Sequence, residues 1–156
     1  MSSYKAVLVG TDGSDSSFRA VDRAASVAAD ADATLYLLTA YRPMTSRERE
    51  DAANPLGDEA YKVQGSTPAE DVLRDAEDRA HAQGAKKVEK LAVEGDPVDA
   101  LVHAALDHGV DLLVVGNRGL NSLAGRLLGS VPANITHKAN CDVLIVHTTG
   151  KGAPKS

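Results

Sequence analysis

Between positions 116 and 130 the chain reads GNRGLNSLAGRLLGS, a stretch whose glycines are placed where chemistry could use them. Gly116 closes an apolar run, Gly119 follows three residues later, and Gly129-Ser130 stand where a helical pattern begins. Glycine has no side chain, so neighbouring amides can close on an anion, and positive φ is accessible. Gly129, Ser130 and Val131 would open a helix, whose first N–H groups lack intrahelical partners and whose dipole attracts negative charge. Ser130 adds a hydroxyl, and Arg118 adds charge if it points inward. Turn chemistry alone would also use glycines here. Paired at a strand end and a helix start, they suit a phosphate cradle.

A second loop, GTDGSDSS at 10–17, follows the first apolar run. A carboxylate beside bound phosphates would be repelled, so Asp12 suits hydroxyls or an amine, as on a ribose or a base edge. It could instead hold a divalent ion that bridges to phosphates, or simply form the turn. The lysine-bearing loop GxxxxGK[ST] has no match in the chain.

These loops need elements to hold them. Apolar runs of strand length fall at 4–10, 34–41, 87–93, 111–116 and 142–147. Four of them are apolar on both alternating faces, as strands covered on each side require. The run at 87–93 is more polar and alternates, which predicts an edge strand. Helical spacing fills the gaps. Val21, Ala24, Ala25 and Ala28 mark a helix over 16–31, and Val98, Leu101, Val102 and Ala105 mark one over 96–108, with Asp96 as N-cap and Pro97 at its first position. A third covers 68–83 and ends near Gly84. A fourth starts at Ser130, where Pro132 sits in the first turn and is tolerated. The alternation βαβαβαβαβ predicts a parallel sheet with right-handed crossovers, in one doubly wound α/β domain over 1–148. In such sheets ligands bind beyond the carboxyl ends of the strands. Both loops lie there.

The stretch 42–67 is polar, broken by Pro43, Pro55, Gly57 and Gly65, and long for a connection in this fold class. It reads either as a surface insertion or as a flap over a ligand. The tail 149–156 is expected to be disordered.

Composition narrows the function further. The chain of 156 residues is 43% hydrophobic and 25% charged, ordinary for a globular protein. A net charge of -5, spread along the chain, argues against a nucleic-acid partner. One cysteine, Cys141, permits no intrachain disulfide. It reads as a small residue at a helix-to-strand turn. No apolar stretch approaches the roughly 20 residues of a membrane helix, and the N-terminus enters a strand at once. A cytoplasmic location is expected.

The glycine pattern resembles that of the universal stress protein family over about residues 3 to 148. The nucleotide-binding subgroup carries Gly-x2-Gly-x9-Gly-[Ser/Thr], and this chain matches it completely with Gly116, Gly119 and Gly129-Ser130. VGTDGSDSS after the first strand supports the resemblance. It implies a five-stranded sheet ordered 3-2-1-4-5, with ATP across strands one and four. Gly10, Thr11 and Asp12 would then face the adenosine, and Ala40 would contact adenine through its backbone. Gly116, Gly119, Gly129, Ser130 and Val131 would hold the phosphates; the role of Arg118 is a physical inference only. Some members of the family bind cyclic AMP, which is the alternative ligand. The family often forms homodimers through the last strand. CDVLIVHTT would otherwise be an exposed apolar edge, so a two-fold dimer through 142–148 is expected.

Catalysis needs a base, a nucleophile and a charge stabiliser together. His81, His103, His108, His137 and His147 form no metal-ligand spacing, and no catalytic residue or metal ligand is assigned. Ser14 and Ser16 have no evident base. The expected role is a regulatory or sensor module in a stress response. Slow ATP hydrolysis is the enzymatic alternative, as is a loose likeness of TDGSDSS to the Ser-Gly-Gly-x-Asp-Ser loop of ATP pyrophosphatases. A pure interaction protein would use its glycine loop structurally and retain no nucleotide.

Overall fold

The computed structural model describes residues 3–41, 68–117 and 135–148. Residues 42–67, read above as a surface insertion or a flap, residues 118–134, which hold most of the glycine pattern and the expected start of the fourth helix, and the tail 149–156 lie outside them. Five strands form one parallel sheet: β1 (Ala6–Gly10), β2 (Thr34–Tyr41), β3 (Lys87–Glu94), β4 (Leu112–Gly116) and β5 (Asp142–Val146). Their order is β3-β2-β1-β4-β5. The described helices between them are α1 (Asp15–Ala31), α2 (Pro68–Ala82) and α3 (Pro97–Asp107). Residues 135–138 are also helical.

Alternation along each strand sends successive side chains to opposite faces. Val7, Val9, Leu35, Leu37, Leu112 and Val114 pack beneath α1 and α2. Ala6, Leu8, Leu38, Leu113 and Val115 pack against α3 and Ile135. Every residue of β1 and β4 is buried, as the two-sided apolar runs predict. The polar strand β3 is an edge, also as predicted. The last strand departs from its expected coverage on both faces. It is the other edge, and Ile145 is 44% exposed.

Caps set the helix starts. Ser14 accepts from the Ser17 amide at 3.1 Å, so α1 starts at Asp15, one residue earlier than its apolar spacing implies. Asp96 accepts from the Asp99 amide at 3.1 Å, with Pro97 in the first turn. Helix α2 places Glu70 and Asp71 in its first turn and Arg79 and His81 in its last, matching its dipole. Arg79 then joins α2 to α1. It donates through Nε and Nη2 to Asp22 at 3.0 and 2.6 Å, and its guanidinium lies 5.1 Å from the centre of the Phe18 ring. At the amino end of the sheet, Asp111 accepts from the amides of Lys5 and Ala6, at 3.0 Å for the shorter bonds, fixing β1 beside β4.

Candidate functional site

The centre of the sheet is where the chain changes direction. From β1 it steps to β2 and β3 on one side, then crosses over to β4 on the other. The chain leaving β1 and the chain leaving β4 therefore stand side by side at the carboxyl ends, where doubly wound sheets bind their ligands. Both central strands end in glycine, Gly10 and Gly116. The half-buried Ala40 stands near the end of neighbouring β2.

The loop after β1 is held by its own bonds. The Thr11 amide donates to Leu38 O at 2.9 Å, and the buried Thr11 hydroxyl pairs with Ser17 Oγ at 2.7 Å. The Asp12 amide donates to Ser17 Oγ at 3.3 Å, the Gly13 amide to Thr11 Oγ1 at 3.1 Å, and the Ser14 amide to Asp12 Oδ1 at 2.9 Å. All four amides from 11 to 14 are thus engaged within the fold. A pyrophosphate seated on this loop would find none of them open. Asp12 is half-buried, and a carboxylate with one accepted bond keeps acceptor capacity for a hydroxyl or an amine. The Thr11 side chain is turned into the protein.

Gly13 has φ +85°, and a Cβ there would lie 2.9 Å from Val72 Cγ2 on α2. Val72 is β-branched and stiff, so it cannot swing away cheaply. Gly13→Ala should therefore cost about 1–3 kcal/mol, from positive φ and crowding together. Adding Val72→Ala should return the crowding part alone. A double-mutant cycle by chemical denaturation measures this, and strictly additive costs would remove Val72 from the account.

On the β4 side, Gly116 pairs with Val146 in register, and the Asn117 amide donates to Val146 O at 2.8 Å. A Cβ on Gly116 would lie 3.3 Å from Thr148 Oγ1 and 3.8 Å from Ser16 Oγ. The bare Cα of Gly116 thus makes room for Thr148. Arg118, Gly119, Gly129, Ser130 and Val131 lie outside the described residues. Buried Ile135 then begins the described return of the chain beneath α3.

Sequence reasoning passed over Asn117, Thr148 and Arg19. Asn117 Oδ1 accepts from the amide and hydroxyl of Thr148 at 2.8 and 2.9 Å, and Arg19 Nη1 donates to Thr148 O at 2.6 Å. The available signal was the strand order, which sets the ends of β4 and β5 side by side.

Two displaced titrations lie at the opposite, amino end. The Tyr4 hydroxyl donates to Asp142 at 2.7 Å, and that bond to a carboxylate raises the phenol above its ordinary range. Burial, then the charge of Asp142, raises the Cys141 thiol. Among the described residues no three His, Cys, Asp or Glu side chains gather to hold a metal ion. None of the described helices is long and apolar enough to cross a membrane.

Residues 3–147 match the model of the universal stress protein family. Universal stress protein Rv1636 of Mycobacterium tuberculosis strain H37Rv is 59% identical over 149 residues, 96% of this chain and 100% of its own length. Universal stress protein YxiE of Bacillus subtilis strain 168 is 30% identical over 92% of this chain and 99% of its own. Among solved structures, a universal stress protein in complex with cAMP superposes with a TM-score of 0.73 at 50% identity, covering 95% of this chain and all of that one.

Proposed function

The chain belongs to the universal stress protein family, and from that premise we propose that it binds an adenine nucleotide and acts as a regulatory module in a stress response. One observation carries the reading: a relative 50% identical over 95% of this chain was crystallised with cAMP. The complete Gly-x2-Gly-x9-Gly-Ser pattern supports it independently. Gly116, Gly119, Gly129, Ser130 and Val131 would take the phosphate, with charge from Arg118. Gly10, Asp12 and Ala40 would take the adenosine, while Thr11 shapes the loop from beneath.

Cyclic AMP is the ligand this relative favours, and ATP is the ligand the glycine pattern implies. A divalent ion accompanying ATP would draw its ligands from the phosphates and from Asp12 in the loop after β1. Denaturing the purified protein and identifying the released nucleotide by mass spectrometry tests the reading. A hundredfold excess of cyclic AMP over its Kd should also stabilise the fold by about 2.7 kcal/mol. No retained nucleotide, together with no thermal shift from either ligand, would leave the glycine loop a structural device.

The same module is proposed to pair as a two-fold homodimer through 142–148. Edge strand β5 presents a row of backbone groups beside half-exposed Ile145. Ile145→Lys should convert the dimer to a monomer in light scattering. A wild-type chain that is already monomeric at tens of micromolar would overturn the pairing.

A further inference from the structure

We propose that Thr148 is a positioning residue for the phosphate end of the ligand, tying the root of the glycine loop to the first turns of α1. This rests on the nucleotide-binding reading above. Thr148 is polar yet fully buried, two residues past β5. Because Gly116 and Val146 are paired in register, the chain leaving β5 runs beside the chain leaving β4. Asn117 Oδ1 accepts from both the Thr148 amide and the Thr148 hydroxyl. A threonine hydroxyl has one proton, and it is committed to Asn117. The hydrogen bond between Thr148 Oγ1 and Ser16 Oγ must therefore be donated by Ser16. The result is a directed relay, Ser16 to Thr148 to Asn117, whose members polarise one another. Arg19, one turn further along α1, grips the Thr148 carbonyl.

The relay joins the chains that leave β1 and β4, the walls of the proposed crevice. Ser16 and Arg19 continue from the loop after β1, whereas Gly116 and Asn117 begin the loop after β4. A Cβ on Gly116 would press on Thr148 Oγ1 at 3.3 Å, tight enough to push it aside by a few tenths of an ångström. Thr148 thus sets how far apart the walls stand, although it belongs to neither the glycine pattern nor the loop bearing Asp12.

Thr148→Val keeps the shape and removes the relay, leaving the Ser16 hydroxyl without its acceptor. Calorimetric titration with cyclic AMP, and with adenosine as a probe lacking phosphate, reads the effect. Thr148→Val should weaken cyclic AMP about tenfold, the scale of one hydrogen bond in this setting, and adenosine less than about twofold. Thr148→Ser should restore cyclic AMP affinity to within about twofold of wild type. Ser16→Ala cuts the same relay from α1 and should weaken cyclic AMP several-fold, which keeps the test decisive where the valine variant does not fold. Unchanged cyclic AMP binding by Thr148→Val, equal losses for both ligands, or a serine variant as impaired as the valine one would each overturn the proposal. A wild-type protein that binds no adenine nucleotide overturns this inference and the preceding reading together. Wild-type binding with an indifferent Thr148→Val overturns this inference alone.

Discussion

Gly129→Val should lower the affinity for cyclic AMP by about a hundredfold or more while leaving ligand-free stability close to that of wild type. In the proposed site the phosphate has no lysine clamp and depends on main-chain amides at the start of the helix after the glycine loop. Each charge-assisted bond of that kind contributes about 1.5–3 kcal/mol, so losing two accounts for two decades of affinity or more. A β-branched side chain next to Ser130 would block the approach of the phosphate to those amides. Mass spectrometry of retained nucleotide and isothermal titration would read the result. Undiminished retention in the variant would show that the anion is held elsewhere.

Leu101→Ala should destabilise the fold by about 3–5 kcal/mol. Leu101 is fully buried in the cluster between α3 and the sheet, among Leu8, Leu38 and Leu113. Those neighbours sit on strands paired on both sides, so they cannot collapse into the void, and the cost falls at the upper end for such changes. For a chain of this size the midpoint should fall by roughly 10 °C. Cyclic AMP, binding only the native state, should recover up to about 2.7 kcal/mol of the loss at a hundredfold excess. Thermal scans with and without ligand separate the two effects. A loss below about 1 kcal/mol would contradict the packing described for α3.

Much of this architecture is legible in the amino-acid order, because two-sided burial and edges leave opposite traces. Val7, Leu8 and Val9 must be apolar on both faces of a central strand, whereas Lys87, Glu89 and Lys90 in β3 tolerate water. Asp96-Pro97 likewise announces a helix start through local chemistry alone. The start of α1 was harder. Ser14, Ser16 and Ser17 are all capable caps, and only geometry selects Ser14. The glycine pattern was visible because its spacing is short. Its surroundings were not, since Thr148 and Ser16 are 132 residues apart and nothing local to either announces the other. Periodicity also overstated the cover on β5: Val143, Leu144 and Ile145 repeat like a core strand, yet at the edge that the expected order 3-2-1-4-5 already gave them Ile145 stays exposed.

The distance along the chain between partners also orders events in time. Strand β1 pairs at once with β2, but its other neighbour, β4, arrives only after a long detour; Ala6 and Asp111, which bond across that seam, are 105 residues apart. Non-local parallel pairing closes slowly. The relay through Thr148 waits longer still, until the final strand has docked. A chain emerging from the ribosome can thus assemble the β1–β2–β3 half early, yet it has no finished crevice until its last strand is home. Capture of a nucleotide at the proposed site would then report that folding is complete.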